Sequence, residues 1–285
     1  MTSTELGRAL WIAGPVFLAL FPVRVQAEQL APTAYPTGIL SGTDHRIGMT
    51  PDAWPWVSIG RVNVIRGLGQ RSYCTGALIG PRQVLTAAHC LFDTRLDTWV
   101  KPHQLHFVAG QSLDGKFEGH SVGLGINTDS NFRFAVEDRP HYDQVRADMI
   151  ARDWAIITLA EVLTLKPILW RSIRNADLPS AAEPGEIARA GYSQDRPFLL
   201  SMHRGCSIKT DVPQPGSVLH QCDSMPGDSG SPILLLNGED VSVIGIHTGI
   251  VQSFEPGAGY RAKSARGVSA SAFAGAAASA LAENR

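Results

Sequence analysis

Charge is scarce in this sequence, and both signs are balanced. Asp, Glu, Lys and Arg make up 18% of the 285 residues, the formal net charge is −1, and no long run of one sign occurs. A nucleic acid therefore meets no basic stripe, and none is expected as a partner. Glycine patterns of the Rossmann or P-loop kind are missing, as is any internal repeat. His103 and His106 are three apart, but no HExxH helix or cysteine cluster joins them. They read as surface or strand histidines, so no metal site and no cofactor is expected. A calcium site built from scattered carboxylates stays open, because it leaves little trace in a sequence. Strand–helix alternation is also missing, which argues against a parallel sheet.

Long hydrophobic runs are nearly absent. The exception, Ala9 to Val23, is broken by Gly14, Pro15 and Pro22, follows Arg8, and leads to Val25-Gln26-Ala27. It is shorter than the ~20 residues a spanning helix needs. Residues 1–27 read as a secretory signal, with an uncleaved membrane anchor as the alternative. A secreted or periplasmic product, without stable membrane association after cleavage, is the expectation. Residues 28–53 are polar and rich in Pro, Gly and Thr, and read as a linker or pro-segment before a domain over 54–285.

Cysteine is sparse too: Cys74, Cys90, Cys206 and Cys222. An even set in an exported chain points to two disulfides. Three connectivities are open, and free buried thiols are the alternative. The sequence-local choice pairs Cys74 with Cys90 and Cys206 with Cys222, each at a spacing of sixteen.

Short β-branched runs are what the chain has in quantity. Val57-Ser58-Ile59, Val62-Asn63-Val64-Ile65, Gln83-Val84-Leu85, Ala155 to Leu159, Pro232 to Leu236 and Val241 to Ile246 are among them. Most are bounded by Gly, Pro, Asn or Asp, the pattern of an all-β sandwich or barrel. Gly110 to Gly125 reads as a surface loop. Val268 to Leu281 is dominated by Ala and reads as a C-terminal helix.

The chemistry concentrates at Gly227-Asp228-Ser229-Gly230-Ser231-Pro232. Glycines on both sides let the backbone approach a substrate closely. A hydroxyl at the centre of such a loop suits a nucleophile flanked by backbone N–H groups, although the same string also makes a plain turn. Serine needs a base and a group that orients the base. His89, in Thr86-Ala87-Ala88-His89-Cys90, follows an apolar strand among small residues. Asp153 opens the apolar run Trp154-Ala155-Ile156-Ile157.

The order His89, Asp153, Ser229, with TAAHC, an aspartate before an apolar strand and GDSGSP, resembles the chymotrypsin-like serine peptidases. The likeness runs from about Trp54 onward, and Trp54-Pro55-Trp56-Val57 resembles that family's early strand. It implies an all-β fold of two six-stranded antiparallel barrels. His89 and Asp153 would come from the first barrel, and Ser229 from the second. It further implies a Cys74–Cys90 bridge and an oxyanion hole from the N–H groups of Gly227 and Ser229. A secreted, monomeric endopeptidase acting on protein or peptide substrates would result. A non-catalytic secreted binding protein on the same fold is the alternative.

The departures concern specificity and activation. Ser231 stands where animal digestive enzymes carry a glycine, and Cys222 lies seven residues before Ser229. Ile244 to Gly249 and Gly42 to Arg46 resemble the bacterial glutamyl-endopeptidase-like branch. Asp223 matches the acidic pocket floor of trypsin, which implies cleavage after Arg or Lys. Ser224 and His247 match positions that bind a substrate glutamate in the acid-specific branch. Asp223 would then turn away, bond within its loop, or be neutralised by His247. Asp228 matches the aspartate that pairs with a new N-terminal amine in trypsin-like zymogens. Ile39 and Ile47 are candidate termini, and a carboxylate that merely caps its own loop is the alternative. His220, near Cys222, reads as structural.

Overall fold

A computed structural model describes residues 38–133, 147–174, 186–256 and 259–283. The expected signal segment, residues 1–27, and residues 28–37 lie outside the described residues. The chain is built almost wholly of antiparallel strands: β1 (Ile47–Met49), β2 (Ile59–Ile65), β3 (Arg71–Leu78), β4 (Gln83–Thr86), β5 (Phe92–Asp93), β6 (Thr98–Trp99), β7 (Leu105–Ala109) and β8 (Gly119–Thr128). These are followed by β9 (Ala155–Leu159), β10 (Ile187–Tyr192), β11 (Leu200–Arg204), β12 (Ile208–Lys209), β13 (Ser217–His220), β14 (Pro232–Asn237), β15 (Asp240–Glu255) and β16 (Gly259–Ser269). One α-helix, α1 (Ala270–Ala282), ends the described chain.

The first half closes into a six-stranded barrel in the order β2-β3-β4-β9-β8-β7. Part of its wall is enclosed on both faces: every residue of β4, and all of β2 from Ile59 to Val62, is buried. Gly60 serves this closure, since a Cβ there would lie 2.6 Å from the Phe107 ring. The second half, joined at its edge by the N-terminal β1, is an eight-stranded antiparallel sheet, ordered β1-β11-β10-β14-β15-β16-β13-β12, where the sequence implied a second six-stranded barrel. One apolar core spans both halves, from Ile59, Leu85 and Ile156 to Leu234, Ile246 and Val268.

Local departures from the sequence reading have simple causes. Trp56–Ser58 is a 3-10 turn, and the strand begins only at Ile59. Of the expected surface loop Gly110 to Gly125, the part from Gly119 onward is strand β8, paired with both β7 and β9. The helix starts two residues late because Val268 and Ser269 still pair as strand, and the Ser269 hydroxyl then accepts the N–H of Ser271 as the N-cap. Phe273, Ala277 and Ala280, spaced for one helical face, are its buried side. Residues 38–53, expected as a linker or pro-segment, contribute β1, which pairs with β11.

Candidate active site

His89 sits in a 3-10 turn (Ala88–Leu91) directly after β4, and Asp153 directly before β9. β4 and β9 are hydrogen-bonded neighbours, with Thr86 opposite Ala155. The barrel register therefore delivers the imidazole and the carboxylate to the same rim. His89 Nδ1 lies 2.8 Å from Asp153 Oδ2, and the His89 backbone N–H donates to Asp153 Oδ1 at 2.8 Å. Asp153 is fully buried, whereas the imidazole keeps some exposure. The Cys74–Cys90 disulfide holds the turn to β3. The second disulfide joins Cys206 to Cys222, so both sequence-local pairs are present.

Ser229 belongs to the loop between β13 and β14. Thr75, next to Cys74 on β3, clasps this loop. Its backbone N–H donates to the carbonyl of Ser229 at 2.9 Å, and its hydroxyl donates to the carbonyl of Gly227 at 3.0 Å. Gly230 has φ +80° and presses on the Thr75 carbonyl, the Thr86 hydroxyl and the Ala87 amide, so no side chain fits there. That contact brings the serine loop to within three residues of His89. Ser229 is half-buried, and its hydroxyl makes no hydrogen bond to a described residue. Among the described residues the N–H groups of Gly227 and Ser229 also have no carbonyl partner, while the amide between them, Asp228, donates to Met225. Gly227, at φ +94°, lies against the Tyr192 carbonyl, 2.6 Å from where a Cβ would stand.

Asp228 is fully buried and makes an ion pair with Arg189 of β10, Oδ1 to Nη1 at 2.7 Å. Its Oδ2 accepts from the Ser193 hydroxyl and from the Met225 N–H, both at 2.8 Å. The carboxylate thus caps its own loop and also has a cationic partner from the chain interior. Arg189 carries no chemical motif in the sequence, and only its burial on a strand reveals it. Burial pushes its guanidinium below the ordinary value, and the Asp228 carboxylate opposes that. Neither Ile39 nor Ile47 supplies a partner to Asp228: Gly38 and Leu40 are bonded to Ser224 and Asp223, and Ile47 is in β1.

Asp223 is buried, and its carboxylate faces the segment 38–46. Oδ1 accepts the Leu40 N–H at 2.9 Å. Oδ2 accepts the His45 N–H and pairs with His45 Nδ1, both at 2.9 Å. The suggested neutralisation by His247 is not what the structure has, because His247 Nδ1 pairs with His220 Nε2 at 3.0 Å. His45, His203 and Asp223 offer ligand atoms within 4.8 Å of one another. However, the lone pair of His203 Nδ1 already accepts the Asp223 N–H at 2.8 Å, so the group works as a hydrogen-bond network. Arg46, buried, adds a second tie through Asp44 and Asp195. It lowers the Asp44 carboxyl to about 2.

The histidine pair has a defined direction. The Cys222 N–H donates to His220 Nδ1 at 3.2 Å, so His220 Nε2 carries the hydrogen and donates to His247 Nδ1. His247 Nε2 is then an N–H donor, and it has no hydrogen-bond partner among the described residues. Burial, joined by nearby cationic groups, pushes His220 down to about 3 and His247 well below the usual histidine range, so both are neutral. Among the described residues the Ser224 hydroxyl is enclosed and unpartnered.

The family model described as Trypsin matches residues 49–266, so the chain belongs to the trypsin (chymotrypsin-like) serine protease family. It is 30% identical over 166 residues to serine protease 23 of Mus musculus, covering 56% of this chain and 42% of that protein. It is 28% identical over 182 residues to the inactive serine protease PAMR1 of Bos taurus, covering 60% and 23%. The chain thus spans about two-fifths of the length of the serine protease 23 relatives it matches. Among solved structures, a Glu endopeptidase superposes with TM-score 0.64 at 20% identity, covering 86% of this chain and 99% of that one, which is a likeness of fold.

Proposed function

We propose that the chain is an exported serine endopeptidase that cleaves peptide bonds through an acyl-enzyme. The observation that carries this is the His89 Nδ1–Asp153 Oδ2 contact of 2.8 Å beside a serine loop clasped to the same barrel. Ser229 attacks the scissile carbonyl, and His89 takes its proton and returns one to the leaving amine. Asp153, its second oxygen fixed by the His89 N–H, holds the tautomer that leaves Nε2 as the base. The unpaired N–H groups of Gly227 and Ser229 receive the oxyanion, a role worth roughly a hundred- to a thousandfold in rate per donor. The base and the nucleophile meet when substrate seats, as free enzymes commonly leave that contact long.

Arg189 supplies Asp228 with the charge that a cleaved N-terminus provides in zymogens. The loop is therefore ordered without such a cleavage, and residues 38–53 stay with the working enzyme. The Asp223 carboxylate is taken up by that segment and is not the floor of a pocket for Arg or Lys. The unpartnered His247 Nε2–H and the Ser224 hydroxyl favour an acidic side chain before the scissile bond, and the alternative is the Arg/Lys preference.

The test of the activity is labelling by a fluorophosphonate. Wild-type protein is expected to label and Ser229→Ala to stay unlabelled. Absent labelling of folded wild-type protein overturns the peptidase reading in favour of a non-catalytic binding protein. Cleavage mapping on a peptide library then decides specificity: dominant cuts after Glu support the pocket drawn here, and dominant cuts after Arg or Lys reject it.

A further inference from the structure

Among the described residues, Arg61 is a buried cation without an anion. It stands on β2 with 8% of its surface exposed. Its guanidinium lies over two rings, 4.0 Å from the centroid of Tyr73 and 4.7 Å from that of Phe198. Among the described residues it makes no hydrogen bond or ion pair, and its Nε is enclosed without a partner. Arg46 and Arg189, also buried, each have a carboxylate. Enclosing part of a guanidinium without one is costly, and stacking on rings recovers only part of the cost. The Tyr73 hydroxyl is likewise enclosed and unpartnered.

Arg61, Tyr73 and Phe198 line a cavity of about 610 Å³, together with Ser72, His106 and Gln111. That is room for several atoms of a peptide side chain and its backbone. Tyr73 links the cavity to the serine loop. Tyr73 Cε2 lies 2.9 Å from where a Cβ on Gly227 would stand. The other end of the loop, Gly230 and Ser231, is hydrogen-bonded to His247. With the acyl half of a substrate on the His247 side, the cavity lies on the side of the leaving group. Two residues of extended chain span ~7 Å, which carries a substrate past the Tyr73 ring.

We propose that this cavity is a leaving-group subsite for an acidic side chain, carried two or three residues beyond the scissile bond, with Arg61 as the partner of its carboxylate. Its place relative to the scissile bond rests on the peptidase reading above. The carboxylate site itself does not.

Two measurements separate these. Ser229→Ala protein is titrated calorimetrically with the amidated tetrapeptides Ala-Asp-Ala-Ala and Ala-Ala-Asp-Ala, and with their Asn counterparts. Amidation leaves the side chain as the sole carboxylate. One Asp peptide is expected to bind at least about tenfold more tightly than its Asn counterpart, a charge-assisted margin. Arg61→Met is expected to bring that ratio near one. Wild-type enzyme with internally quenched peptides should show a similar Asp-over-Asn ratio in kcat/KM, which needs no variant. Asp and Asn peptides that bind equally, or not at all, overturn the subsite. Selective binding with no hydrolysis of any peptide keeps the carboxylate site and overturns the peptidase reading. Hydrolysis without acidic preference overturns the subsite alone.

Discussion

Arg189 Nη1 stands 2.7 Å from Asp228 Oδ1, with both side chains wholly enclosed. The pair joins β10 to the loop that carries Ser229, at the residue before the proposed nucleophile. Removing one member of a buried pair strands the other charge, which costs on the order of 3–5 kcal/mol. Arg189→Met and Asp228→Asn are each expected to lose stability on this scale in urea unfolding, and to lower kcat more than they raise KM. The double variant Arg189→Met/Asp228→Leu should recover part of the stability and none of the rate. Activity that appears only after cleavage before Ile39 or Ile47, seen by N-terminal sequencing, would remove Arg189 from this role.

Gly230→Ala tests the clasp between the serine loop and the first barrel. The position has φ +80°, and a Cβ meets the Thr75 carbonyl and the Thr86 hydroxyl. The loss in stability should exceed the ~1 kcal/mol of a strained backbone alone, and fluorophosphonate labelling of Ser229 should fall sharply. Gly238→Ala is the control, because Gly238 also has positive φ, at +59°, with nothing within 4 Å of a Cβ. It should keep its labelling. Equal effects of the two substitutions would rule out the close approach as the cause.

What the sequence made legible follows from how local each signal is. His89, Asp153 and Ser229 each sit in a short string whose neighbours explain them, and β4 and β9 bring two of them to one rim. The Ala-rich helix was readable to within two residues because propensity and the Ser269 cap act locally. The role of Asp223 was not readable. Its carboxylate is consumed by Leu40 and His45, nearly two hundred residues earlier in the chain, and no local pattern announces such a pairing. Arg189 and Arg61 were equally hidden, each a lone arginine within an ordinary strand run. Thr75 has no signature in the sequence, because a threonine beside a cysteine announces nothing until its hydroxyl is seen on Gly227.

His220 is a positioning residue for His247, acting through the bond from its Nε2 to His247 Nδ1. His220→Leu leaves the tautomer of His247 undefined and the Cys222 N–H unpaired. Loss of the partner that orients a metal-binding histidine costs about 10- to 100-fold, and a similar range is expected for this orienting bond. A fall of that size is expected in kcat/KM for peptides with Glu before the scissile bond, carried mainly by KM. A smaller change should appear in labelling by fluorophosphonate. His220→Gln, whose amide can accept and donate along the same line, should restore much of the loss. Equal losses for Leu and Gln would mean that His220 only fills space.

The same two imidazoles set an acid limit on stability. Burial holds His220 down to about 3 and His247 well below the usual range, so the folded chain keeps both neutral where the unfolded chain protonates them. Below an unfolded pKa near 6.5 the unfolded state binds more protons, and stability falls with falling pH at up to about 1.4 kcal/mol per unit for each imidazole. Above that pH their contribution is complete, and the loss continues as pH falls toward the folded values. Urea midpoints at pH 7 and pH 5 should therefore differ markedly in the wild type. The double variant His220→Gln/His247→Gln should show a smaller difference. Some slope should remain from His203, which burial also holds below its ordinary value. An unchanged difference in the double variant would assign the acid sensitivity to other groups.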